Sequence, residues 1–114
     1  MAGVVHIPWY GTVFRADKLA EAVTEAAAIS IRYGATKYAV HRSRDDAYKV
    51  LQLVWFESKL DWERYWEGPE MIALRNRIGG WYQVPLLYVW NDEIACDAVA
   101  AADGAPVESA PNAV

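Results

Sequence analysis

Cysteine is almost absent from this chain, because Cys96 is the only one among its 114 residues. A single cysteine excludes an internal disulfide bond and is typical of a reducing compartment. No apolar run is long enough to cross a bilayer, and residues 1–10 lack the charged and apolar regions of a signal peptide. We therefore expect a cytoplasmic protein that does not insert into membranes.

Histidine is equally scarce and occurs only at His6 and His41. No cluster of cysteine or carboxylate residues accompanies either one, whereas zinc or non-haem iron needs three or four convergent ligands. The chain also lacks a glycine-rich phosphate loop and a G-x-S-x-G nucleophile motif. The sequence thus predicts no metal site, and we interpret both histidines as sheet residues that face solvent or a subunit interface.

Positive charge is sparse and scattered. The net charge is −4, and no run of lysine and arginine is dense enough to neutralise several adjacent phosphates, so we expect no binding to nucleic acid. Residues 1–54 carry seven basic and five acidic side chains, and residues 55–114 carry four and ten. We interpret the acidic second half as a solvated surface.

What the chain does contain is tryptophan, and five of its six tryptophans lie within residues 55–90. Tryptophan has a large apolar surface and one N–H group that needs a partner. Such a concentration is typical of a heavy core, of an interface or of an aromatic-walled pocket. These three alternatives imply different functions.

Hydrophobic periodicity predicts six elements in the order β-α-β-β-α-β. The strands are predicted at residues 4–14, 36–43, 48–56 and 83–90, the first helix at 15–33, and a broken second helix at 59–67 and 69–78. This order predicts an α+β, ferredoxin-like fold with an antiparallel sheet. We expect one domain over residues 1–96 and a disordered tail, rich in alanine and proline, over residues 97–114.

Local signals fix several boundaries. Gly34 is predicted to cap the first helix, and Ser58 with Asp61 resembles a capping box. Pro69 is expected to begin the second helical piece, because proline is tolerated in the first turn. Pro8 cannot donate a ladder hydrogen bond and predicts an edge or a bulge. The strand at 48–56 is apolar on both faces, so both faces must be covered.

The sequence Trp-Phe-Glu-Ser at 55–58, then Trp62, then Tyr-Trp-Glu-Gly-Pro at 65–69, resembles the antibiotic-biosynthesis-monooxygenase-like (ABM) family. The resemblance covers about residues 4–95. It implies a dimeric α+β barrel, in which two ferredoxin-like sheets pack face to face as a homodimer. Members of this family include cofactor-free oxygenases of aromatic polyketides, haem-degrading enzymes and proteins without established chemistry.

The resemblance does not extend to the haem-degrading members. These place an asparagine on the first strand and a haem-ligating histidine in the second half of the broken helix. Near the corresponding positions this chain has Pro8, Leu74 and Arg75. Haem degradation is therefore disfavoured, and we expect no cofactor.

Candidate site residues come from the aromatic segment. Trp62, Tyr65, Trp66, Trp81 and Tyr38 could wall a cavity, with Arg75, Asn76 and Arg77 as polar groups that orient a ligand. In the oxygenase branch an asparagine, a tryptophan and a tyrosine line the pocket, and Trp66, Tyr65 and Asn76 are the matching residue types. Nearby carboxylates such as Glu63, Glu67 and Glu70 are interpreted as a solvated stripe.

Two hypotheses follow from these residues. In the first, a homodimer binds a small planar aromatic molecule, with cofactor-independent monooxygenase activity as its enzymatic form. In the second, a non-catalytic dimer uses the same aromatics as core and interface, and any role lies in partner interactions. The first requires a cavity beside Trp62 and Trp66.

Overall fold

The computed structural model describes residues 1–99. Its strands are β1 (Gly3–Tyr10), β2 (Ala35–Arg42), β3 (Lys49–Phe56) and β4 (Val89–Asp92). Its helices are α1 (Ala16–Ile29), which continues into a 3₁₀ turn at Ser30–Tyr33, α2 (Lys59–Trp66) and α3 (Pro69–Arg77). Residues 97–99 are exposed and have no regular structure, and the rest of the predicted disordered tail lies outside the described residues.

The four strands form one antiparallel sheet in the order β2-β3-β1-β4. Each helical connection therefore joins strands that are not neighbours, as in a split βαβ arrangement. The predicted ferredoxin-like α+β fold is confirmed. The hairpin of β2 and β3 and the break between α2 and α3 are confirmed with it.

One face of the sheet, the inner face, packs against the helices. Val5, Ile7 and Trp9 of β1 alternate into it, as do Val50 and Val54 of β3, and all are buried. Small residues of α1, such as Ala22 and Ala26, allow the helix to approach the sheet closely. The core thus lies between the inner face and the three helices.

The opposite face of the sheet, the outer face, carries none of the helices of residues 1–99. It carries the side chains of Leu51, Leu53 and Trp55, which are only partly buried, together with Val4 and the half-exposed Val89. The predicted alternation in β3, with apolar residues on both faces, is confirmed. An apolar sheet face of this extent is typical of a surface that a partner covers.

The last strand begins later than predicted. The prediction of a strand at residues 83–90 is wrong, because pairing with β1 is regular only from Val89 onward. Tyr82 pairs with Gly11, and Val89 pairs with His6. Val89 therefore lies seven positions after Tyr82, whereas its partner His6 lies only five positions before Gly11, the partner of Tyr82. The surplus residues cannot stay in register, and residues 83–88 leave the sheet.

Pro8 lies opposite this interruption. β4 pairs with Gly3–His6 of β1, and residues 82–83 contact Tyr10 and Gly11. Within the described part of the chain, β1 therefore has no strand partner on that side at Pro8. The missing N–H of proline therefore costs no hydrogen bond there. Pro8 therefore lies at a local edge of the sheet, although β1 as a whole is an interior strand between β3 and β4.

Two glycines are required by the backbone around the helices. Gly34 ends the 3₁₀ turn with a φ of 96°, in the left-handed region that favours glycine. At Gly68, a Cβ would lie 2.7 Å from the Tyr33 hydroxyl and 2.8 Å from the Arg64 carbonyl oxygen. Gly68 therefore allows α2 and α3 to meet closely beneath the 3₁₀ turn, and Pro69 begins α3 as predicted.

Ser58 caps α2, and its hydroxyl accepts a hydrogen bond from the Asp61 N–H at 3.3 Å. We expect Ser58→Ala to lower the free energy of unfolding by about 1 kcal/mol, because an N–H of the first turn loses its acceptor. Chemical denaturation followed by circular dichroism measures this loss. Ser58→Asp, which keeps an acceptor at the cap, should retain most of the stability; equal losses in both variants would contradict the capping role.

Candidate functional site

Six aromatic side chains, which we call the aromatic cluster, meet between α2, β1 and residues 81–88. They are Trp9, Trp62, Tyr65, Trp66, Tyr82 and Tyr88. Trp62, Tyr65 and Trp66 lie on one side of α2, because residues three and four positions apart share a helix face. The segment that leaves the sheet after Gln83 brings Tyr88 against them.

Trp62 and Trp66 form a stacked pair with their ring centroids 5.1 Å apart. Both are buried, whereas Tyr88, whose ring contacts them at 5.3 and 5.2 Å, is 43% exposed. Tyr88 belongs to residues 84–88, which form no strand pairing within the described residues 1–99. It is the solvent-side wall of an otherwise buried aromatic pair.

A chain of buried hydrogen bonds runs behind this pair. The Trp9 indole N–H donates to Gln52 Oε1 at 3.0 Å, and Gln52 Nε2 donates to the Tyr65 hydroxyl at 2.9 Å. The Tyr65 hydroxyl donates in turn to the Ala26 carbonyl oxygen at 2.5 Å. Burial raises the pKa of Tyr65 far above its ordinary value, so this hydroxyl stays protonated and serves as a donor.

Arg75 supplies a positive charge at the edge of the aromatic cluster. Its guanidinium lies 4.2 Å from the centroid of a Trp66 ring and donates a hydrogen bond to the Trp66 carbonyl oxygen at 2.9 Å. The cation–π contact and the hydrogen bond together fix the side chain across the break between α2 and α3. A guanidinium in this position can bind a phenolate or carboxylate oxygen of a ligand.

The remaining predicted site residues lie elsewhere. Tyr38 is on the edge strand β2, opposite Val54 and 38% exposed. Trp81 lies near the start of α1, where the Lys18 ammonium is 5.7 Å from its ring centroid. Asn76 and Arg77 are exposed on α3, and Arg77 pairs with Glu25 at 2.8 Å. The structure thus brings together Trp62, Tyr65, Trp66 and Arg75, and the roles of all these residues stay predictions.

The sequence did not single out Trp9, Gln52 or Tyr88 as members of the site. Gln52 carried a signal, since a glutamine between valines on the buried face of a strand needs polar partners. Trp9 lies at the end of a strand far from the aromatic segment, and only the sheet places it beside α2. Tyr88 belongs to the strand predicted at residues 83–90, and a regular strand would give its side chain another direction.

The carboxylates near α2 are mostly solvated, as interpreted from the sequence. Glu63 and Glu67 are exposed. Glu70 differs, because it accepts hydrogen bonds from the Tyr33 hydroxyl and from Arg32, and the bond from Tyr33 lowers the pKa of its carboxyl group. These contacts tie the start of α3 to the 3₁₀ turn.

Open grooves lie outside the aromatic cluster. A groove of about 470 Å³ runs between α1 and α3 over Ala28 and Ala73, and the Arg32–Glu70 and Arg77–Glu25 ion pairs cross it. A smaller one, of about 320 Å³, lies over β1 and β3 beside Pro8 and Leu51. Neither is lined by Trp62 or Trp66, so the cavity that the first hypothesis requires beside this pair is not found among these grooves. A ligand would have to displace Tyr88, the exposed ring that contacts both tryptophans.

Two further observations concern residues 1–99. Within them, no group of three or more histidine, cysteine, aspartate or glutamate side chains is arranged to hold a metal ion. No helix in that part of the chain has the length and apolar character needed to cross a membrane.

Comparisons of the chain with known proteins give a likeness in structure alone. No sequence profile of a protein family and no curated protein sequence matches it. A proposed antibiotic biosynthesis monooxygenase from Nitrosomonas europaea superposes with a TM-score of 0.74 at 17% identity, over 82% of this chain and 90% of that one. Rv0793 from Mycobacterium tuberculosis superposes with a TM-score of 0.73 at 11% identity, over 83% and 97%.

A third similar structure, from the same Nitrosomonas species, is described as a protein of unknown function. It has a TM-score of 0.72 at 13% identity and covers 89% of this chain and 98% of that one. The predicted resemblance to ABM-like proteins is thus confirmed at the level of the fold. At these identities the likeness carries the fold only, and function must be argued from the site.

Proposed function

We propose that the protein is a homodimer that binds a small planar aromatic molecule against the stacked pair of Trp62 and Trp66. The observation that carries this proposal is the cover over that pair: Tyr88, half-exposed and on a segment outside the sheet, contacts both rings. A planar ligand can replace the Tyr88 ring and keep the aromatic contacts of both tryptophans.

Arg75 sets the chemical class of the ligand. Its guanidinium is held over a ring of Trp66 and favours an anionic or readily ionised oxygen on the bound ring system. Tyr65, by contrast, accepts one hydrogen bond and donates another, so its hydroxyl is already engaged. A phenol or an aromatic carboxylate, bound by stacking and by Arg75, fits these groups best.

Monooxygenase activity is the enzymatic form of this proposal. Stabilisation of a phenolate by Arg75 would make the bound ring electron-rich and thus more reactive toward O2. Oxygen uptake with a hydroxyanthracene tests this step separately from binding. Binding without oxygen uptake would leave a ligand-binding protein and remove the enzymatic form.

The outer face supports the homodimer. Leu51, Leu53 and Trp55 of β3 form an apolar stripe through its centre, flanked by Val4 and Val89. Two such faces packed together form the sandwich geometry that aligned sheets adopt, with their apolar side chains interdigitated. We therefore take a second copy of the chain as the occupant of this apolar surface.

A second candidate function is a non-catalytic dimer in which the aromatic cluster is only core. The observation in its favour is the completed hydrogen-bond chain from Trp9 to Ala26, which leaves the polar groups behind the tryptophans already partnered. Such a satisfied network rigidifies a core. The two candidates differ in whether a planar aromatic molecule displaces Tyr88.

Fluorescence anisotropy of 2-naphthol tests the proposed site. We expect saturable binding to the wild-type chain and at least about fivefold weaker binding to Trp66→Leu, since the loss of one aromatic contact costs roughly 1 kcal/mol or more. Tyr88→Ala should bind more tightly than the wild type, because the ligand no longer displaces a ring. The opposite signs of these two changes distinguish a site from general loss of structure.

Trp81→Leu is the matched control, because Trp81 lies near the start of α1, outside both the aromatic cluster and the outer face. It should bind 2-naphthol as the wild type does, and circular dichroism should report the same fold for all four chains. If the wild type shows no saturable binding, or if Trp81→Leu loses as much affinity as Trp66→Leu, the ligand proposal is overturned and the second candidate stands.

A further inference from the structure

Both histidines of the chain lie on the outer face. His6 of β1 is directly opposite Leu53 of β3, and His41 of β2 is directly opposite Leu51. Residues directly opposite each other in an antiparallel pair present their side chains on the same face. Since β3 runs between β1 and β2, the two imidazoles flank the apolar stripe from both sides, and both are exposed.

The lysines on the strands of this face lie toward its two ends, one opposite Trp55 and the other opposite Tyr10. Lys37 of β2 and Lys49 of β3 are the lysines on it, and the Lys37 ammonium lies 4.9 Å from a Trp55 ring centroid. β1 adds Tyr10, whose hydroxyl group is uncharged between about pH 5.5 and about pH 7.5. β4 adds Val89 and Asn91, which do not titrate.

Carboxylates lie only at the margins of the outer face, as far as residues 1–99 are concerned. Glu93 accepts a hydrogen bond from the Trp55 indole at 3.1 Å, and Asp97 lies beside the same ring. At the opposite end of the outer face, Asp46 accepts a hydrogen bond from the Tyr10 hydroxyl at 2.8 Å. No carboxylate on the strands faces His6 or His41 across the apolar stripe to compensate a positive imidazole.

We propose that protonation of His6 and His41 dissociates the homodimer, so that subunit association weakens as the pH falls from about 7.5 to about 5.5. This inference rests on the proposed homodimer. A second copy presents the same groups, so four imidazoles enter the interface together. Neutral imidazoles can be buried there, but charged ones must lose water beside an apolar surface.

The direction of the effect follows from proton linkage. Because the interface disfavours the charged imidazoles, the dimer binds fewer protons than two separate subunits in the range where histidine titrates. The dimer is therefore favoured above this range and weakened below it. For each proton that must be released when two subunits associate, the Kd of the dimer rises by up to about tenfold for every unit by which the pH falls.

Sedimentation equilibrium of the full chain at about pH 7.5 and about pH 5.5 tests the proposal. We expect the Kd of the wild-type dimer to rise at least about tenfold at the lower pH. The matched double variant, His6→Gln with His41→Gln, keeps polar side chains of similar size but cannot gain the protons. Its Kd should change less than about twofold between the two conditions.

The possible failures are distinguishable. A wild-type monomer at about pH 7.5 would overturn the homodimer itself, and the switch with it. A wild-type dimer whose Kd does not rise at the lower pH would overturn the switch alone. A double variant that dissociates as the wild type does would overturn the role of the histidines, and circular dichroism showing unfolding at about pH 5.5 would overturn the mechanism.

Discussion

Leu53→Glu is expected to convert the proposed homodimer into a monomer at micromolar concentration. Leu53 lies near the middle of the outer face, between Ala39 of β2 and His6 of β1. Each copy would place one carboxylate in an apolar interface, and the uncompensated burial of such a charge costs several kcal/mol. Even about 3 kcal/mol weakens the dimer more than a hundredfold, which sedimentation velocity detects as a shift from the dimer to the monomer.

The matched control for this change is Leu60→Glu. Leu60 is 53% exposed on α2, away from the outer face, so the same added charge should leave the dimer intact. Dimerisation of Leu53→Glu with the wild-type Kd would show that the subunits associate through another surface. Dissociation of both variants to the same extent would show that added negative charge, rather than its position, controls association.

Gln52→Leu is expected to cause the largest loss of stability among the single substitutions considered. Leucine has a similar volume, but it leaves the Trp9 indole N–H without an acceptor and the Tyr65 hydroxyl without its donor. Leaving such buried groups unpaired costs about 1–3 kcal/mol each, so the free energy of unfolding should fall by roughly 2–4 kcal/mol. For a domain of this size, Tm should fall by about 10 °C or more.

Gln83→Leu is the control for the loss of an amide, because Gln83 is the only other glutamine and is exposed. It should change Tm by no more than a few degrees. Differential scanning calorimetry measures both variants. Equal Tm values for Gln52→Leu and the wild type would mean that water or a rearranged neighbour satisfies Trp9 and Tyr65, and that the buried chain does not stabilise the core.

Sequence patterns predicted much of the fold because the relevant forces are local. Apolar alternation in β3 predicted which side chains face the helices, since the strand period is two. Ser58, Gly68 and Pro69 predicted the start and the break of the second helix, because caps and proline act through neighbouring backbone groups. The spacing of Trp62, Tyr65 and Trp66 likewise placed them on one side of α2.

The same reasoning misplaced the last strand. Val84, Leu86 and Tyr88 alternate as strand residues do, but the alternation arises in a segment whose Leu86 and Tyr88 pack on the core and the aromatic cluster. Periodicity cannot separate these cases, because register depends on where β1 lies relative to both ends of the segment. The two surplus residues become evident only when both contacts with β1 are known.

By itself, the sequence determined the order of elements, the broken helix, the two-faced sheet and the concentration of tryptophan on α2, because each depends on residues close together in the chain. Only the tertiary structure decided the site and the surface beside it. Trp9 bonds Gln52 across 43 sequence positions and Gln52 bonds Tyr65 across 13, and strand pairing places His6 beside Leu53 and His41 beside Leu51. Side chains distant in sequence become neighbours only when the sheet aligns their strands.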